Sequence, residues 1–166
     1  MYGWLNGVLA NVFKSILGFF SRASNGSVSA NESLSETGDA LSEVWLHPDS
    51  DELRAQTAIK EQKLEAGVFR IGRRASDSVA YPDPNPPDLL LFENSPFTVS
   101  RIQCEIEIDG GKVILRDMGS RMGTCLGKKR LRSTSRQPSS VVVPKGTHRL
   151  ILGSRQGPFR FRLVVS

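Results

Sequence analysis

The chain has 166 residues, room for one folded domain of about 100–150 residues plus additional segments. Its formal charge of +5 is unevenly spread: residues 23–66 carry nine acidic and three basic side chains, residues 67–166 eight acidic and seventeen basic. A basic region behind an acidic stretch favours an anionic partner or an electrostatic contact within the chain, with a solubilising surface as the plainer alternative. Two cysteines, Cys104 and Cys125, show no CxxC spacing, and His47 and His148 are far apart in sequence. This argues against a zinc site and a disulfide framework; both cysteines read as buried thiols in a reducing compartment, and no metal or other cofactor is expected.

In residues 1–22, Leu5, Val8, Leu9, Val12, Phe13, Ile16, Phe19 and Phe20 share one broad face at helical spacing, opposite Asn11, Lys14, Ser15, Gly18, Ser21 and Arg22. The pattern predicts an amphipathic helix. A spanning helix needs about 20 mostly apolar residues, a length barely reached here, and Lys14 opposes burial in lipid. A secretory signal needs a basic start, which Met1-Tyr2-Gly3-Trp4 lacks, and a mitochondrial presequence would be richer in Arg. An interfacial or partner-docking helix fits best, with packing on the protein's own domain as the alternative. The expectation is a membrane-associated chain on the cytoplasmic side, anchored to a membrane surface or a membrane-protein subunit.

Residues 23–66 read as an acidic, Ser-rich flexible linker, since SRASNGSVSANESLSETGD has too little apolar surface to pack. Within it, Asp49 or Ser50 is placed to cap a short helix over DELRAQTAIKEQKLEAG, with Leu53, Ile59 or Leu64 on one side and Gly67 as the stop.

Residues 67–166 alternate short β-branched and aromatic runs with Gly, Pro, Asn and Asp turns. VFRIG, DLLLF, CEIEI, KVILRD, SVVVP, HRLIL and FRFRLVV read as strands of an all-β domain, an antiparallel two-sheet sandwich. Asp109-Gly110-Gly111 is a hairpin turn signal. Ile71, Leu90, Ile106, Val113, Leu115, Leu150, Phe161 and Leu163 are the expected core. CEIEI and FRFRL alternate cleanly, so each is expected to keep one wet face. ASDSVAYPDPNPPD and RSTSRQPS read as loops.

Three segments occur in order across this region: FRIGRR (Phe69–Arg74), FTVSRIQCEIEI (Phe97–Ile108) and GSRMGT (Gly119–Thr124), the last between strand-like runs. Together they resemble the forkhead-associated (FHA) domain, a β-sandwich that reads phosphothreonine peptides. The resemblance covers residues 67–166. It implies that Arg73 pairs with the phosphate, Ser100 donates its hydroxyl and Arg101 adds a second cation. Arg121 stands where the family often has Thr and adds charge. Gly72, Gly119 and Gly123 are architectural. Two positions depart from the family's pattern: Gln103 replaces a His that braces the Ser100 loop, and Met122 replaces an Asn that bonds the peptide main chain. Gln retains amide hydrogen bonding, whereas Met cannot donate.

Catalytic motifs are lacking: there is no Gly-x-Ser-x-Gly elbow, no His-Glu-x-x-His pair and no phosphate loop ending in Gly-Lys-Ser/Thr. The basic run KKRLR (Lys128–Arg132) lacks interleaved stacking aromatics, so nucleic acid is not expected as a partner. The reading is a non-enzymatic protein-interaction module in a membrane-associated assembly, its phosphopeptide pocket weakened or reused for an acidic partner. The alternative is a competent phosphothreonine reader in signalling.

Overall fold

The computed structural model describes residues 43–75, 84–134 and 136–166. The amphipathic helix expected over 1–22 and the Ser-rich stretch up to residue 42 lie outside the described residues. So does part of the Pro-rich loop, residues 76–83. Among the described residues no helix is long and apolar enough to cross a membrane.

The strands in chain order are β1 (Val44–Pro48), β2 (Gln62–Leu64), β3 (Gly67–Arg73), β4 (Leu89–Leu91), β5 (Cys104–Asp109), β6 (Lys112–Asp117), β7 (Thr124–Leu126), β8 (Lys129–Leu131), β9 (Ser139–Val143), β10 (Gly146–Leu152) and β11 (Arg160–Val165), with one short helix, α1 (Asp51–Arg54), between β1 and β2. They form two sheets, ordered β2-β1-β11-β10-β7-β8 and β4-β3-β5-β6-β9. Alternation directs Leu46, Phe161, Leu163, Leu150 and Leu152 from one sheet, and Ile71, Leu91, Ile106 and Leu115 from the other, into a shared core. The β5–β6 hairpin turns through Gly110 and Gly111 at φ 51° and 77°, a conformation that costs glycine little. Both cysteines are buried and free, and burial, followed by the nearby Asp117 and Glu105 carboxylates, pushes the Cys104 thiol well up.

Four expectations need correction. The folded region begins before residue 67: Val44–Pro48, within the expected linker, pairs along its whole length with β11 from Val44↔Val165 to Pro48↔Phe161. Its partner lies at the other end of the chain, so nothing local signals the strand. The helix after Ser50 covers Asp51–Arg54 only and does not run to Gly67. Ser50 is its N-cap residue but makes no capping bond; its hydroxyl instead accepts from Arg160 N at 3.4 Å. Leu53, Ile59 and Leu64 are all buried, but on a wrapped segment ending in β2, because Gln56 ties down the turn by exchanging two bonds with the Phe92 main chain. The second sheet is mixed, since β4 runs parallel to β3 through Ile71↔Leu89, Gly72↔Leu90 and Arg73↔Leu91. That register turns Leu89 and Leu91 inward, and Leu90 is exposed rather than core.

The wet face of CEIEI also differs from expectation. Glu105 points outward yet is only 5% exposed, because Arg70 and Arg116 on the flanking strands close over its carboxylate. Arg116 also reaches Glu107 at 3.1 Å. On the outer face of this sheet the charges of Arg70, Glu105, Arg116 and Glu107 are therefore paired with one another, beside the exposed Val68 and Val142.

Candidate functional site

Loops at one end of the sandwich converge on an open cleft of about 490 Å³, lined by Arg73, Phe97, Val99, Ser100, Arg101, Ile102, Met118, Gly119 and Arg121. Among the described lining residues three are arginines and none is a carboxylate. The four polar residues singled out in sequence, Arg73, Ser100, Arg101 and Arg121, are thus brought together. Met122 does not line the cleft and is half-buried. Its carbonyl accepts from Arg130 Nη2.

Each position has a local cause. Arg73 ends β3, and its amide donates to Ser100 O at 2.9 Å, which fixes the Ser100 loop against the strand. Its side chain is aimed by main-chain carbonyls: Nε donates to Val99 O and Nη1 to Arg74 O, each at 3.2 Å. The guanidinium also lies 3.7 Å from the Phe97 ring centroid, a cation–π stack that a lysine would reproduce poorly. Glu93 holds the segment carrying Phe97, accepting from Thr98 N, Thr98 Oγ1 and Val99 N at 2.6–2.9 Å.

Gln103 replaces the family's bracing His, and it braces. The side chain is fully buried. Its Oε1 accepts from Ser100 N at 2.9 Å, while Nε2 donates to Gly123 O at 2.7 Å and Thr124 Oγ1 at 3.0 Å. One amide therefore joins the Ser100 loop to the Gly119–Thr124 loop, using the donor and acceptor ends that a single amide provides. The two loops also meet directly, because Arg121 N donates to Ser100 Oγ at 3.0 Å and Arg121 Nη2 donates to Phe97 O. The Arg121 amide is thus used within the site, on the Ser100 hydroxyl oxygen.

Two supporting residues escaped the sequence reading. Phe97 opens the FTVSRIQ segment, where residues 97–99 form no strand, and its ring packs on Arg73. Asp117, at the end of β6, is 1% exposed. It accepts from Ser120 N and Oγ, Thr124 Oγ1 and Ser133 N, shaping the loop that carries Arg121. The tendency of Asp to bond nearby main chain in turns is the one signal that could have found this position. Ser133 places the RSTSRQPS loop beside it.

Residues 69–146 match the family model of the FHA domain. The chain carries an FHA domain. Among solved structures similar to it, the FHA domain of the CT664 protein from Chlamydia trachomatis is 21% identical, with TM-score 0.50, over 74% of this chain and 97% of that one. The FHA domain of an Arabidopsis thaliana hypothetical protein is 17% identical, also with TM-score 0.50, over 87% of this chain and 93% of that one. A third, Mycobacterium tuberculosis EmbR in complex with a low-affinity phosphopeptide, is 21% identical with TM-score 0.48, over 76% of this chain and 25% of that one. At these identities the likeness is one of fold. No curated protein matches the chain. In this FHA domain, Gly72, Ser100 and the Gly119–Thr124 loop hold their motif positions, and the bracing position is taken by Gln103.

Proposed function

We propose that this FHA domain is a non-enzymatic module that binds phosphothreonine peptides of a protein partner at the loop-end cleft. The observation that carries the reading is the convergence of Arg73, Ser100, Arg101 and Arg121 on one cleft. A dianionic phosphate calls for such charge-assisted donors, supplied here from three separate loops. Arg73 and Ser100 take the central role, with Arg101 and Arg121 adding cationic contacts. Met122 weakens the site: where an Asn would bond the peptide main chain, a thioether offers no donor.

Fluorescence titration of the full chain with phosphothreonine peptide libraries, against unphosphorylated controls, tests this. Arg73→Ala should weaken binding far more than Lys128→Ala; equal losses would indicate diffuse electrostatics and sink the assignment. Met122→Asn should tighten binding by about two- to tenfold, since a regained hydrogen bond is worth roughly 0.5–1.5 kcal/mol. An unchanged affinity would show that position 122 does not meet the peptide.

The domain is further proposed to work on the cytoplasmic side of a membrane, within an assembly reached through residues 1–22. The apolar periodicity of that segment supports this, because a short amphipathic helix is marginal in water unless it docks. Deleting residues 1–22 should lower the protein's share in the membrane fraction. Retention of the truncated chain at the full-length level would remove the anchor from that segment.

A further inference from the structure

The outer face of the six-stranded sheet carries arginines in register. Phe161, Leu163, Leu150 and Leu131 point inward, so Arg160, Arg162, Arg149 and Arg130 point away from the core. The pairings Cys125↔Arg130, Ile151↔Cys125 and Ile151↔Arg160 place Arg130 and Arg160 in one row, and Arg149↔Arg162 forms the next. With strands about 4.8 Å apart and rows about 6.7 Å apart, the four side chains leave a patch of roughly 15 by 7 Å. Arg130, Arg149 and Arg162 are exposed and Arg160 is half-buried.

Among the described residues, none of the ion pairs uses any of these four arginines. The contrast with the other sheet is direct, because there Arg70 and Arg116 are tied to Glu105. Glu43 and Glu61 are held at the β1–β2 edge of the six-stranded sheet by Lys63 and His47, and Asp49, whose amide bonds Arg160 O, is paired with Arg54 at 3.7 Å. Among the described residues the β8-β7-β10-β11 region thus keeps four arginines outside ion pairs, with Arg130 and Arg160 tethered only to the main-chain carbonyls of Met122 and Gly157.

We infer that this face docks the FHA domain on an anionic lipid bilayer. A rigid, flat array of spread arginines matches a surface of uniform negative potential, which demands no register from its partner. Trp45, half-exposed on the same outer face and paired with Val164, adds an amphipathic ring suited to the headgroup layer. A single-stranded nucleic acid would need a series of stacking rings. On this face Trp45 is the one aromatic ring besides its stacking partner His47, among the described residues. The face is separate from the loop-end cleft, so the inference does not rest on the phosphopeptide reading.

The test is co-sedimentation of the full chain with phosphatidylcholine vesicles, with and without phosphatidylserine. All proteins compared keep residues 1–22, so differences between them report the sheet face. The double variant Arg149→Ala/Arg162→Ala should lose about 25-fold in partitioning onto phosphatidylserine vesicles, roughly fivefold per arginine. Partitioning onto pure phosphatidylcholine should not change, and high salt should abolish the difference. Both side chains are exposed, so matching melting curves are expected and confirm folding. The control double variant Lys112→Ala/Arg136→Ala should shift partitioning far less. An equal loss in the control would reduce the effect to net charge and overturn the inference. So would binding without dependence on phosphatidylserine, or binding to polyuridine RNA or polyglutamate as tight as to the vesicles and lost in the same arginine variant.

Discussion

Gly72→Ala is expected to destabilise the domain by about 3 kcal/mol or more, at the upper end of overpacking penalties. A Cβ at Gly72 would stand 2.0 Å from the Arg101 carbonyl oxygen, 2.8 Å from its carbon and 2.8 Å from Pro87 Cγ. The neighbour is main chain and has no rotamer to yield. It is also clamped, because Arg73 N bonds Ser100 O and Gln103 N bonds Ile71 O on either side of the contact. Accommodating the methyl would push the Ser100–Arg101 loop off β3 and open the cleft, so peptide binding should fall together with stability. Gly111→Ala is the comparison: its φ is +77° but nothing lies within 4 Å of an added Cβ, so a cost of only about 1 kcal/mol is expected. Urea denaturation of both variants decides the matter. A Gly72→Ala protein as stable as Gly111→Ala would show that the loop gives way freely, and the clamp described above would be wrong.

Asp117→Ala should cost about 3–5 kcal/mol, since each buried donor left unsatisfied costs roughly 1–3 kcal/mol. Four donors depend on this carboxylate: Ser120 N at 3.2 Å, Ser120 Oγ at 2.6 Å, Thr124 Oγ1 at 2.9 Å and Ser133 N at 2.8 Å. Three belong to the loops that follow β6 and β8 and the fourth to Thr124, which opens β7, so the damage should concentrate where Arg121 is displayed. Hydrogen exchange should report it there, with amides of residues 119–124 and 133–134 losing protection before those of β10 and β11. Uniform loss of protection across the domain would instead mean that Asp117 acts on the whole fold and not on the recognition loops. Asp117→Asn should fall between, because one of its two acceptor oxygens becomes a donor facing other donors.

Much of the fold was legible because its signals are local. Seven runs read as strands are strands, and Gly110-Gly111 turns the hairpin, since alternation and φ > 0 chemistry are written in neighbouring residues. What failed was long-range. Val44–Pro48 is too short to declare itself without β11, and the four-residue helix after it stops because Gln56 finds the Phe92 main chain. Leu90 was misplaced by one residue, since three consecutive leucines carry no phase until β4 takes its parallel register on β3. At the site, the identity of Gln103 was visible but its action was not. Bracing needs Ser100 and Gly123 within reach of one amide, and these are three and twenty residues away.

By itself, then, the sequence determined the strand content of residues 67–166, the FHA motif segments and the residue types offered to a phosphate. The strand runs and residue types follow from composition and spacing over a few residues, and the motif segments from resemblance to the FHA family. The tertiary structure alone decided which side chains meet: Phe97 under Arg73, Asp117 beneath the Arg121 loop, Glu105 closed off between Arg70 and Arg116, and four arginines of the other sheet gathered outside the ion pairs of the described residues. Strand register set these contacts, and register is fixed by the joint burial of the two sheets, which no single segment encodes.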